Sequence, residues 1–296
     1  MHEINSFVFF DIETTGLPCQ ERNKTKITEL SFVVASRQDI MLTSYGELPT
    51  VSKLSLVFNP MKSIHPEAVK MTGLSNDKLK NAPLFKQKIK TILSFLQELT
   101  RPICLVAHNG NKFDYKILLT EFNDANASLP SDLLCVDSLV GFRYILKDRN
   151  IHIITQPMHV HAQKKEPDHE VMTDDEDDWP DLNVTTEDWQ DIDNICESLS
   201  DVSCEDIAEV PNKVFKKKGN NAIRNVFNKQ KRCNSNGYSL VTLYKQFFAK
   251  EAINSHRAEG DCLMLLQCVV ATKEVFVPWA DSACKKVKEM KPLIRY

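Results

Sequence analysis

Long apolar runs are missing from this sequence of 296 residues: no stretch reaches 18 apolar residues, so no segment has the composition of a membrane-spanning helix. A basic leader is missing too. Met1 to Ser6 holds no Lys or Arg ahead of the short apolar stretch Phe7 to Phe10, which leaves no secretory signal to recognise. The nine cysteines stand singly, their total is odd and no Cys-x-x-Cys occurs. That usage fits reduced thiols in a nuclear or cytoplasmic protein rather than a disulfide framework or a zinc site. Internal repeats are absent as well. Together these absences set the expectation of a soluble, unsecreted chain with no membrane partner. Positive charge is absent from one long window, Glu166 to Asp206, which holds 17 Asp and Glu and no Lys or Arg.

What is present can fold. At 42% apolar residues the chain can bury a substantial core. The formal net charge of -3 hides the asymmetry of the acidic window: outside it the chain carries 37 basic against 23 acidic residues, a net of +14. A basic body points to a polyanionic partner. Phe7-Val-Phe-Phe-Asp-Ile-Glu13 is aromatic and β-branched and runs into the turn residues Thr14-Thr-Gly-Leu-Pro18, a buried strand ending in a loop. Ile27 to Ser36 and Val51 to Phe58 extend it to a three-stranded meander. Helical periodicity covers Ser75 to Leu99, Asn111 to Phe122 and Ser138 to Leu146, with strands at Arg101 to Ala107 and Leu133 to Asp137 between them. From Lys147 to Ser235 the pattern breaks into scattered histidines, the acidic window and a basic stretch, which reads as a loosely ordered insertion over 148–235. Three more helices follow, at Tyr238 to Phe248, Leu263 to Val270 and Val275 to Glu289. The expectation is an α/β fold, a mixed five-stranded sheet flanked by helices, built from 1–147 and 236–296.

Residues two apart on a strand point the same way, so Asp11 and Glu13 leave the first strand side by side. Such a pair repels itself unless a cation lies between. Phosphodiester hydrolysis gives a reason to hold one, because two divalent ions roughly 4 Å apart activate the attacking water and stabilise the leaving oxygen. Hard oxygen donors suit Mg²⁺ or Mn²⁺. Asp-x-Glu at a strand end is also what a solvated turn looks like, but four apolar residues before Asp11 bury the strand and make unpartnered carboxylates costly. A second acid, Asp114, closes Ala107-His-Asn-Gly-Asn-Lys-Phe-Asp114, where a strand, a glycine turn and a helix start meet. Its alternative reading is an acid placed for the helix dipole. His108 reads as structural rather than catalytic. The third site, Ser255-His-Arg-Ala-Glu-Gly-Asp261, sets His256 and Asp261 at the head of an apolar helix.

The stretches Phe10-Asp-Ile-Glu-Thr-Thr-Gly-Leu-Pro18, Val106-Ala-His-Asn-Gly-Asn-Lys-Phe-Asp114 and His256-Arg-Ala-Glu-Gly-Asp261 resemble the three motifs of the DEDDh exonuclease superfamily. The flanks resemble the three-prime repair exonucleases, the TREX family, through Met71-Thr-Gly-Leu-Ser75, Gly237-Tyr-Ser-Leu-Val-Thr-Leu-Tyr244, Pro278-Trp-Ala-Asp281 and Lys291-Pro-Leu-Ile-Arg-Tyr296. The resemblance implies a ribonuclease-H-like fold and release of nucleoside 5′-monophosphates from the 3′ ends of single- or double-stranded DNA, with single-stranded or frayed ends as the expected partner. It implies Asp11, Glu13, Asp114 and Asp261 as ligands of two Mg²⁺, with Mn²⁺ able to substitute, and His256 as general base. The tyrosine subclass of the superfamily is excluded, because Arg257 stands where its Tyr would. Leu17 and Pro18, with Met71 opposite, match an apolar wedge that grips the terminal nucleotides. Glu13, Thr14, Phe113 and Asp261 fall at substrate-contacting positions. Phe113 replaces the family's usual Tyr, so a hydroxyl near the scissile phosphate is missing; Tyr115-Lys116 replaces its common Phe-Pro, a change expected to affect packing more than chemistry. A homodimer paired through sheet edges and the nuclear location of the unanchored branch are also implied.

Within the insertion, Lys213, Lys216, Lys217, Lys218, Arg224, Lys231 and Arg232 stand where the family has a basic DNA-contacting loop; a nuclear-import patch is the alternative. Trp179 and Trp189 in their acidic setting suit a peptide that orders on a protein partner. His152, His159, His161 and His169 are spaced too irregularly for a metal cluster. Carboxylate chemistry does not distinguish sugars, so a 3′-to-5′ exoribonuclease is the rival within the class. A non-catalytic nucleic-acid binding module is the rival outside it, opposed by the five intact catalytic positions. The residues do not choose between DNA repair and degradation of stray DNA.

Overall fold

The central strand β1 (Ser6–Thr14) is buried on both faces, which is why its sequence is a near-continuous apolar run rather than an alternation. The computed structural model describes residues 3–147, 235–250 and 256–295. Antiparallel to β1 lies β2 (Ile27–Ser36), and antiparallel to that the outer strand β3 (Ser52–Val57), the expected meander. On the other side β4 (Ile103–Ala107) and β5 (Leu134–Asp137) run parallel to β1. The five expected strands are thus present, and a two-residue strand β6 (Lys285–Lys286) adds a sixth, giving the order β3-β2-β1-β4-β5-β6.

The helices are α1 (Arg37–Leu42), α2 (Pro66–Thr72), α3 (Asn76–Leu79), α4 (Phe85–Gln97), α5 (Asp114–Asp124), α6 (Ser138–Lys147), α7 (Leu240–Phe248), α8 (Ala258–Ala271) and α9 (Lys273–Ala283). Alternation along β1 sorts them into two layers. Phe7 and Phe9 join a core with Phe142 of α6, Leu243 and Phe247 of α7, Leu265 and Val269 of α8 and Phe276 of α9. Val8, Phe10 and Ile12 join the other, with Ile89, Ile92 and Leu96 of α4 and Tyr115, Leu118 and Phe122 of α5. By the same parity Asp11 and Glu13 face the layer that holds α8.

Two helical expectations are corrected. The periodic stretch Ser75 to Leu99 is two helices, because Pro83 lacks an N–H and forces its predecessor out of helical geometry; Leu84 then caps α4 in an extended conformation. The stretch Val275 to Glu289 is α-helical only to Ala283, with a single 3-10 turn at Val287–Glu289. Cys284 turns extended, Lys285 and Lys286 pair with Cys135 and Leu134, and Val287 donates its N–H to Leu133. Val287 is buried in the α4–α5 core whereas α9 packs on the other, so the chain must cross the sheet edge between them. Helices α1 and α2 were not anticipated; each is short, capped by Ser36 and by His65 with Pro66 at its first position. The expected insertion, 148–235, lies outside the described residues except for Ser235. No single described helix is long and apolar enough to cross a membrane.

Candidate active site

Asp11 and Glu13 occupy the last turns of β1's pleat, and a register shift after Glu13 ends its regular pairing with β2 and releases the chain into the loop at Thr14 and Thr15. Helix α8 brings Asp261 over the same face. Carboxylate oxygens of Asp11, Glu13 and Asp261 all lie within 4.8 Å of one another. Asp114, at the first position of α5, is buried, and its own backbone N–H and that of Ile12, between the two acids of β1, favour its charged form. Its charge is felt by both Asp11 and Glu13, so the four carboxylates gather at one end of the central strand.

Their electrostatics follow from burial and mutual crowding. Burial, then the charges of Asp114, Asp261, Glu13 and Glu29, hold the Asp11 carboxyl well above the usual range. Burial, then Asp261, Glu29 and Asp114, pushes Glu13 up to about 8, with the Arg257 guanidinium opposing. Burial raises Asp114 to about 7 and Asp261 to about 6, backbone N–H groups restraining both. This all-oxygen, multiply acidic donor set suits a hard divalent cation, and Mg²⁺ or Mn²⁺ fits its chemistry.

His256 is exposed and takes a left-handed backbone, φ 68°, held by its N–H donating to Asp261 Oδ2 at 3.0 Å. A non-glycine residue there is uncommon and fixes the direction in which the chain enters α8. Leu17 and Met71 are exposed at 51% and 57%, while Pro18 is half-buried. Their two elements are joined where His65 N–H donates to the Thr15 carbonyl at 2.7 Å. The Thr14 hydroxyl is buried and donates to the Gly16 carbonyl, and Phe113 packs half-buried against the α4–α5 core. Lys213, Lys216, Lys217, Lys218, Arg224, Lys231 and Arg232 lie outside the described residues.

The loop that presents Asp114 depends on Asp137, which the sequence did not single out, and on Tyr115, Gly110 and His108 around it. Asp137, at the end of β5, accepts from the N–H groups of Asn109, Asn111 and Leu139 at 2.9 to 3.0 Å. The Tyr115 hydroxyl lies 2.6 Å from the Val136 carbonyl and 3.0 Å from that of Leu105, and accepts from Ala107 N–H. It therefore ties α5 to both parallel strands. Gly110 is required by close approach, since a Cβ there would stand 2.7 Å from the Tyr115 ring and 2.6 Å from Ala107. His108 bonds Ser138 Oγ and the Tyr238 carbonyl through its two ring nitrogens, and burial holds its pKa below the ordinary value. Glu29 was also missed. It is buried on β2 directly opposite Glu13 and takes a two-pronged ion pair from Arg257. Its only sequence signal was an acid in an otherwise apolar strand.

Residues 8–174 match the family model RNase_T, described as Exonuclease. Human three prime repair exonuclease 2 is 36% identical over 147 residues, covering 47% of this chain and 61% of that protein. Human three-prime repair exonuclease 1 is 36% identical over 155 residues, covering 47% and 48%. The chain thus spans less than two thirds of these relatives. Among solved structures, an exonuclease I whose structure suggests how processivity is achieved aligns with a TM-score of 0.54 at 13% identity, over 94% of this chain and 43% of that one. Cell-death related nuclease 4 aligns with a TM-score of 0.52 at 9% identity, over 92% and 64%. At those identities the likeness is one of fold, the ribonuclease-H-like exonuclease fold.

Proposed function

The chain belongs to the exonuclease family and, within the DEDDh superfamily, to the three-prime repair (TREX) group; from that membership we propose that it removes nucleoside 5′-monophosphates from DNA 3′ ends by metal-dependent hydrolysis. The observation that carries the reading is the convergence of the Asp11, Glu13 and Asp261 carboxylates within 4.8 Å, with Asp114 beside them. Asp11, Glu13, Asp114 and Asp261 would hold two divalent cations, Mg²⁺ by preference with Mn²⁺ as substitute, which would supply charge stabilisation at the scissile phosphate and a more acidic water. His256, exposed beside Asp261, takes the proton of the attacking water on a ring nitrogen. Leu17, Pro18 and Met71 offer the terminal bases an apolar surface to stack on.

The test is degradation of 5′-end-labelled single-stranded DNA and RNA in Mg²⁺, with an EDTA control. A ladder shortening from the 3′ end of DNA, abolished by EDTA, is the expected result. Shortening of RNA alone would make the chain an exoribonuclease, and binding without shortening would make it a non-catalytic module.

A further inference from the structure

Motif three is held to the sheet by a pair of charges that the reading above gives no role. We propose that Glu29 and Arg257 are positioning residues that set His256 and Asp261 in register with Asp11 and Glu13; the inference rests on the exonuclease reading. Glu29 lies on β2 directly across from Glu13, on the same face, and is only 4% exposed. Two like charges directly opposite on a sheet repel, so Glu29 without a partner would burden the carboxylate cluster. Arg257 answers it with both prongs of its fork, Nε to Oε2 at 2.9 Å and a terminal nitrogen to Oε1 at 2.7 Å. A two-pronged guanidinium–carboxylate contact fixes orientation as well as distance.

Glu29 Oε2 also accepts the Ala258 N–H at 3.2 Å, so the strand supplies the cap that Arg257, the residue that precedes α8, does not provide with its side chain. Arg257 sits between the two motif residues. Its carbonyl accepts the Asp261 N–H, and the residue before it, His256, donates its N–H to the Asp261 carboxylate, both at 3.0 Å. Fixing the Arg257 side chain therefore fixes the peptide units on which the His256 ring and the Asp261 carboxylate are both mounted. A second contact, from Lys53 and Ser55 of β3 to Glu259, holds the next residues of the helix at 2.9 and 2.8 Å. The body of α8 is anchored independently by Cys262, Leu265, Leu266 and Val269 in the core. Loss of the charged pair should leave the fold standing and move only the helix's first turn.

The experiment compares the full chain with Arg257→Gln, Glu29→Gln, the double variant and Arg257→Lys on single-stranded DNA at saturating Mg²⁺. Displacements of about 1 Å at a catalytic group cost up to about 10²-fold in rate. Either Gln variant should accordingly lose kcat about tenfold to 10²-fold with KM within about twofold and a melting temperature near that of the parent. Because the two residues act as one, the double variant should be no slower than the slower single. Arg257→Lys, which keeps the charge and loses the fork, should fall between parent and Arg257→Gln; it also serves should Arg257→Gln not fold. Unchanged kcat in Arg257→Gln or Arg257→Lys, multiplying losses in the double variant, or a loss carried by KM overturns the pairing while leaving the exonuclease reading intact. An inactive parent chain overturns the exonuclease reading and this inference with it.

Discussion

In the metal-free protein Glu13 keeps its proton up to about 8 and Asp114 up to about 7, whereas the ordinary values for such groups are 4.5 and 3.8. At these groups the folded state therefore binds protons that the unfolded chain has already released, and the sign follows: their contribution to stability is fully present below about pH 4 and is lost as pH rises through the folded-state values of about 6, 7 and 8 for Asp261, Asp114 and Glu13. A cation that binds only the folded, deprotonated cluster reverses this. In EDTA the melting temperature should drop between about pH 5 and about pH 8.5, and Mg²⁺ should raise it more at the higher pH. Glu13→Gln should flatten the EDTA profile; a wild-type profile as flat as the variant's would remove the crowding argument. The same residues separate two roles in catalysis. Asp11→Asn should abolish cleavage and weaken Mg²⁺ binding while DNA binding persists, because the basic surface is untouched. His256→Ala should lower kcat by about 10² or more, the usual scale for a lost general base, with the Mg²⁺ dependence unchanged. A His256→Ala enzyme restored by raising Mg²⁺ would make His256 a ligand instead.

The loop between β1 and β2 carries Leu17 and Pro18, and it is braced from two sides. Lys62 pairs with Glu21 at 2.8 Å and donates to the Lys24 carbonyl at 3.1 Å. On the other side Asn23 donates to the Ile294 carbonyl, and Arg295 reaches the Thr25 carbonyl and Asp124. Leu293 N–H, bonded to the Thr120 hydroxyl at 2.8 Å, fixes this tail to α5. Arg295→Ala should therefore raise KM for DNA about threefold to tenfold with kcat unchanged, the pattern of lost ground-state binding, as steady-state kinetics would show. A fall in kcat alone would place the tail's effect at the chemistry. How much of this was legible varies by element. Taken singly, Asp11 and Glu13 also read as a solvated turn and Asp114 as a helix N-terminal acid; what singled out these residues and Asp261 was the resemblance of the three stretches, in order, to the DEDDh exonuclease motifs. Strands β1, β2, β4 and β5 announced themselves by their apolar runs, and the outer strand β3 by alternating apolar and polar residues. The end of α9 could not be read, because helical periodicity continues past Ala283 and only the burial of Val287 on the opposite face of the sheet stops it. Glu29 and Arg257 escaped for a related reason: they are 228 positions apart, and their meeting depends on the β1–β2 register. Pro83 was visible in the sequence and sufficient to divide α3 from α4.

Over the whole chain charge is divided unevenly, with 17 acids between Glu166 and Asp206 and a net of +14 everywhere else. A polyanion joined covalently to a basic body meets it at an effective concentration on the order of millimolar, enough to compete with DNA for the same lysines and arginines. Such competition is electrostatic, so it weakens with salt: the screening length is about 30 Å at 0.01 M and about 8 Å at 0.15 M ionic strength. DNA binding weakens with salt as well, because each neutralised phosphate releases counterions. We propose that the acidic window acts as a decoy for the DNA-binding surface. Deleting Glu166 to Asp206 should tighten DNA binding, most at low salt, while kcat at saturating DNA changes little, since Asp11, Glu13, Asp114, His256 and Asp261 lie outside the window. The competing account is that the window presents Trp179 and Trp189 to a protein partner. It predicts equal affinities for full-length and deleted protein at both salts. Fluorescence anisotropy with a labelled oligonucleotide at low and at physiological salt separates the two, and equality at both would eliminate the decoy.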